Sequence, residues 1–216
     1  MNKINLVARC DANAVCPSFD FSLLTDPIWL KAHVFPRLLP RSRYAELLNN
    51  GIACMEVWDL LLVAAVEVAP NSWALLHSEP LREAHISLLG LFQQAVKNMA
   101  ETTTITPLGE VLAGLTGGSC GSSLFPPIFV IQSDVPYSAA AILSEDVRYK
   151  IHDIIGPEFY ALPSSVHEML AIPADGDSDG LLDLVRTINA SEVISDNDFL
   201  SDNVYYCRHG DVEVIA

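Results

Sequence analysis

"EFYALPSSVHEMLAIP", residues 158–173, sets two apolar runs around a polar hinge. "EFYALP" and "EMLAIP" have the length and composition of strands. Pro163, Ser164 and Ser165 break the pattern between them, so the stretch predicts two strands joined by a turn.

Working outward, "IFVIQS" (128–133) predicts a strand, and "AAAILSEDVRYKIHDII" (139–155) a strand followed by a helix. "DGLLDLVRTINA" (179–190) predicts a helix, and "VYYCRHGDVEVI" (204–215) a hairpin turning at His209 and Gly210. Toward the N-terminus, "INLVA" (4–8) predicts a short strand. Residues 22–39 are apolar, with Pro27 and Pro36 as breakers, and "PRSRYAELLNNG" (40–51) predicts a short helix closed by Asn50 and Gly51. "IACMEV" predicts a strand, and "WDLLLVAAVEVA" (58–69) a buried helix stopped by Pro70 and Asn71. Residues 78–101 carry apolar side chains at Leu81, Ala84, Leu88, Leu91, Phe92, Ala95 and Met99, the spacing of one long helix. "TPLGEVLAGL" (106–115) adds a short one. This mixed order predicts an α+β fold, a mixed or antiparallel sheet with packed helices. Residues 1–50 read as an N-terminal segment packed on a main domain, 51–216.

The chain has 216 residues, half of them hydrophobic, enough to bury a substantial core. Its formal net charge is −15, and residues 145–216 hold 15 acidic side chains against four basic ones. Such a surface repels nucleic-acid phosphates and anionic membranes and favours a basic protein partner. Asp175, Asp177, Asp179, Asp183, Asp196, Asp198 and Asp202 are the candidate binding residues. Five cysteines at scattered spacings, no CxxC pair and no apolar leader predict a cytoplasmic protein. The apolar run "LLLVAAV" (60–66) is too short to span a bilayer.

Four motifs bear on chemistry. Gly117 to Gly121, "GGSCG", spells the nucleophile elbow G-x-S-x-G, but no strand leads into Ser119 and no helix follows. Asp175, Asp177, Asp179 and Gly180 fit positions 1, 3, 5 and 6 of a calcium loop, yet position 12 is Arg186 instead of the required carboxylate. His167 and Glu168 open an HE pair, but residue 171 is Ala, so the zinc-helix pattern fails. The sequence therefore predicts no metal and no cofactor. The fourth motif is the hinge itself. Ser165 and His167, at i and i+2 of a strand, would share one face, while Glu168 would point away. A hydrolase with Ser165 as nucleophile and His167 as base would need an acid such as Asp196 or Asp202 behind the histidine. The alternative is a polar turn whose serines bond nearby backbone.

"PIFVIQSDVPYSAAAILSEDV" (127–147), "EFYALPSSVHEMLAIP", "LVRTIN" (184–189) and "FLSDNVYYC" (199–207) together resemble an uncharacterised bacterial family, domain of unknown function 5688. The resemblance covers most of residues 50–208, and "PSSVHE" and "LSDNVYY" are its specific elements. It implies a cytoplasmic α+β protein of the kind encoded by gut bacteria and their mobile elements. It brings no activity and no catalytic residues. The long 78–101 segment and the "GGSCGSS" loop depart from the family pattern. The expectation is a non-enzymatic acidic protein that binds a basic partner, in its sharpest form a DNA-mimicking antagonist of a nucleic-acid-handling or defence protein. The small serine hydrolase is the alternative.

Overall fold

A computed structural model describes residues 19–116, 127–175, 178–191, 194–208 and 210–216. The expected strand at 4–8, Ser119 with its glycine loop, Asp177 and His209 lie outside the described residues.

Two antiparallel sheets carry the fold. The first holds β1 (Val34–Pro40), β2 (Cys54–Val57), β3 (Leu60–Ala69) and β4 (Ser72–Leu75). Strand β3 is its spine. β1 pairs along it from Leu60 to Val66, β2 covers Leu60–Val63, and β4 covers the stretch beyond. Here the expectation of a helix at 58–69 is corrected. Leu60–Val66 are all buried, so both faces of β3 are covered and its sequence loses the alternation that marks a half-exposed strand. Pro70 and Asn71 make a hairpin turn rather than a helix stop, with Asn71 at φ 60° and its N–H donated to Glu67 Oε1 at 2.9 Å. Pro36 is tolerated because β1 is an edge strand.

The second sheet runs β10 (Asp211–Ile215), β9 (Val204–Arg208), β7 (Glu158–Ser165), β8 (Glu168–Pro173), β6 (Phe129–Ser133) and β5 (Thr103–Pro107), in that spatial order. Alternation along its strands assigns the faces. Phe159, Ala161, Met169, Ala171, Tyr205 and Cys207 enter the large core shared with the first sheet. Tyr160, Leu162 and Val204 face the other way, into a smaller cluster closed by one helix.

The helices start where caps dictate. Asp26 accepts from Ile28 and Trp29 N–H to open α1 (Pro27–His33), and α2 is the short Arg41–Tyr44. The expected helix at 78–101 is two: α3 (Ser78–Glu83) and α4 (Leu88–Thr102). His85 at φ 54° breaks the run, and Ser87 caps α4 through Gly90 N–H. The apolar spacing survives this break because Leu81, Leu91, Phe92, Ala95 and Met99 all reach the same core. α5 spans Leu108–Thr116. Residues 138–143 form a 3₁₀ helix, not the expected strand. Ala139, Ala140 and Ala141 are small enough to sit fully buried between the sheets. α6 (Glu145–Ile155) follows, capped by Ser144 and ended by Gly156. α7 (Ser178–Asn189) lays Leu182 and Val185 over the second sheet's outer face.

Candidate functional site at the seam between the sheets

The hinge motif lies where the two sheets meet. Val166 and His167 are the turn between β7 and β8, so Ser165 and His167 do not share a strand face as expected. The turn's side chains and backbone bond locally. The Ser164 hydroxyl donates to Glu168 Oε1 at 2.8 Å, and the His167 backbone N–H donates to Ser165 Oγ at 3.0 Å. Val166 N–H donates to Asp198 O, while Val166 O and His167 O accept from Ala139 N–H and the Ser138 hydroxyl. The turn is bolted into a slot between the 3₁₀ helix and the 195–200 loop.

The imidazole is committed as well. Tyr137 N–H donates to His167 Nδ1 at 3.1 Å. Nδ1 is therefore an acceptor, and the neutral ring carries its proton on Nε2. That nitrogen faces Asp198 Oδ1 at 3.5 Å, and Asp198 Oδ2 accepts from the Ser195 hydroxyl at 2.6 Å. An acid does stand beside the histidine, but it is Asp198 rather than Asp196 or Asp202. Neither ring nitrogen bonds Ser165, whose oxygen is held by backbone. A nucleophile–base pair needs that missing bond. Glu168 turns to Ser164.

Above the turn stands a cationic column the sequence did not announce. Arg37 of β1 is 5% exposed. Its guanidinium lies 4.1 Å from the Tyr137 ring centre and 5.0 Å from that of Trp73. Tyr137 holds φ 66°, a left-handed conformation uncommon for a bulky residue. Its ring also contacts the His167 ring, at 4.9 Å. Burial first of all pushes the Tyr137 hydroxyl's pKa up. At the rim Arg43 stacks on Phe199 at 4.4 Å and bonds the Asp196 backbone oxygen.

A second polar knot ties the sheets nearby. Asp59, in the β2–β3 turn, accepts from the Tyr205 hydroxyl at 2.8 Å, the Ser201 hydroxyl at 2.7 Å and Asn203 Nδ2 at 3.0 Å. Trp58 packs on Tyr205 with ring centres 5.1 Å apart. Burial, reinforced by the Asp59 charge, raises the Tyr205 pKa far above the ordinary tyrosine value. Three of the four residues in this knot come from "LSDNVYY". The signal for it was the run of polar residues ahead of a strand; its partner, Asp59, had none.

The acidic candidates divide. Asp196 faces Arg43, Asp198 faces His167, and Asp202 accepts from Asn189 Nδ2 at 2.9 Å. Asp175, Asp179 and Asp183 are exposed at the end of β8 and on α7. Among the described residues, no three His, Cys, Asp or Glu side chains are grouped to hold a metal ion. No described helix is long and apolar enough to cross a membrane.

Fold and site together define an α+β protein of two antiparallel sheets joined through the Asp59 knot, in which Ser165 and His167 are not bonded to each other. A family model matches residues 1–209, and the chain belongs to that family, DUF5688, a family of unknown function. No curated protein and no solved structure matches the chain. In this chain "LSDNVYY" fastens the second sheet to Asp59 of the first, and "PSSVHE" is bonded into the slot between the 3₁₀ helix and the 195–200 loop.

Proposed function

We propose that this chain is an acidic interaction protein that docks a basic protein partner through α7 and the segments flanking it. One observation carries the reading. α7 sits on the outer face of the second sheet and leaves Leu184 and Ile188, one turn apart, 49% and 42% exposed. Helical spacing puts Asp179 and Asp183 on the opposite shoulder of the same helix. Among the described residues no hydrogen bond or ion pair holds Asp183, nor Asp175 at the helix approach. An apolar stripe beside uncompensated acids suits a basic amphipathic surface, with charge steering the encounter and apolar area slowing release. The net charge of −15 supports the same reading and a cytoplasmic setting. A nucleic-acid-handling or defence protein, its basic surface competed for by these carboxylates, is the partner class this charge fits best.

A hydrolase at Ser165 has no such support, because the serine oxygen and the imidazole are bonded to backbone rather than to each other. The test is a pull-down with wild-type bait and with Asp175→Lys/Asp183→Lys bait, each at low and high salt. A basic protein retained by wild type at low salt, lost at high salt and lost with the variant is the expected result. Equal capture by both baits would overturn the electrostatic docking.

A further inference from the structure

We propose that Arg37 anchors a binding site for a small oxyanion, the carboxylate or phosphate group of a ligand, in the seam between the two sheets. The argument starts from a contrast within one segment. Arg37, Arg41 and Arg43 place three of the chain's 12 Lys and Arg side chains within "RLLPRSR". Arg41 meets Glu56 at 2.7 Å and Arg43 meets Asp196 at 3.4 Å, both toward solvent, where an ion pair contributes little. Arg37 is the buried one, where an unmatched charge costs most, and it has no carboxylate among the described residues.

The unpartnered part of Arg37 is specific. Its guanidinium lies near the rings of Trp73 and Tyr137. Ring contacts of this kind leave the N–H donors without acceptors. Nε and Nη2 are both buried, and among the described residues neither has a hydrogen-bond partner. Those two nitrogens form the side-on edge that matches two oxygens of one carboxylate or phosphate. Asp198, which faces His167 beside Tyr137, is already engaged by Ser195 and His167. Burial drags the Arg37 pKa down to about 10, and Tyr137 compensates only in part. A bound oxyanion would supply that compensation. This site is independent of the docking face, because α7 covers the opposite side of the second sheet.

The experiment titrates ¹⁵N-labelled protein with sodium phosphate and, separately, sodium acetate, each against sodium chloride at matched ionic strength. It follows the Arg37 Nε–Hε resonance and the thermal midpoint. The expected result is a saturable shift of that resonance with phosphate or acetate but not chloride, and a midpoint that rises over the same concentrations. A shift with phosphate alone names a phosphate ligand, and one with acetate alone a carboxylate. Arg37→Gln should lose the midpoint rise. If neither oxyanion moves the resonance beyond the chloride control, or if Arg37→Gln keeps the full rise, the site does not exist. Should the variant fail to fold, the wild-type resonance decides by itself.

Discussion

Asp59 and Arg37 are both charged, both come from the first sheet, and both meet groups from the second half of the chain. Around Asp59, three neutral donors converge on one carboxylate and satisfy it. Around Arg37, two aromatic rings stand close and no described acceptor meets Nε or Nη2. A charge enclosed by oriented donors is a fastener that the fold depends on. A charge enclosed without acceptors is a cost the fold carries, and its removal leaves no partner stranded.

The sharpest way to break this contrast is to remove each charge. Asp59→Ala should cost about 3–4 kcal/mol in urea denaturation, because it strands the buried hydroxyls of Ser201 and Tyr205. Arg37→Met, which keeps bulk beside the rings, should stay within about 1 kcal/mol of wild type. Similar losses from the two variants would erase the distinction.

The next effect, smaller and set by pH, extends the contrast to an uncharged group. Cys207, next to Tyr205 on β9, is 2% exposed, and burial pushes its thiol up to about 12. Its folded pKa lies above the unfolded value, so folded and unfolded chains bind the same proton below pH 9. Above pH 9 the unfolded chain releases that proton and the folded chain does not. Stability therefore falls as pH rises. Between pH 9 and 10.5 this group should remove about 2 kcal/mol, from ~1.4 kcal/mol per pH unit. Cys207→Ala should show a correspondingly flatter profile in denaturation midpoints over that range. Identical profiles would mean the thiol ionises without hindrance.

How much of this was legible in the sequence follows from who each residue's partners are. Elements with local signals were readable: the strands around "PSSVHE", the hairpin strands at 204–215 and the helix at 178–189. β3 was misread because its partners cover both faces and erase its period. The break at His85 was hidden because α3 and α4 keep one apolar face toward one core. The site was half readable. His167 and Ser165 stood out by chemistry, but the atoms that occupy them, Tyr137 N–H and a backbone amide, lie 30 residues away or have no side-chain signature. Arg37 and Asp59 carried no signal at all. Each is a single charge in an apolar segment, and its meaning comes from groups about 36 to 146 residues distant.

The hinge offers the next step down in size. His167→Ala leaves the Tyr137 N–H without its acceptor and should cost about 1–2 kcal/mol. Ser165→Ala loses one bond to a partly exposed amide and should cost under about 1 kcal/mol. The order matters more than the values. A hinge held by its slot must rank the histidine above the serine in stability. If Ser165→Ala proved the costlier, the turn would be held by its serines and not by its slot.

The smallest stability effect belongs to the outer face, and there smallness is the point. Leu184→Ser and Asp183→Lys change exposed side chains of α7 that close no core, so each should shift stability by about 0.5 kcal/mol or less. Against the partner recovered in the pull-down the same changes should act strongly and differently. Asp183→Lys should slow association and flatten its salt dependence, since charge acts during encounter. Leu184→Ser should quicken dissociation at every salt, since apolar contact acts after it. Surface plasmon resonance separates the two rates. A fastener shows itself in stability and a docking face in kinetics. If Leu184→Ser destabilised the protein by as much as His167→Ala, α7 would belong with the fasteners, and the exposed stripe would be part of the fold rather than a surface kept for a partner.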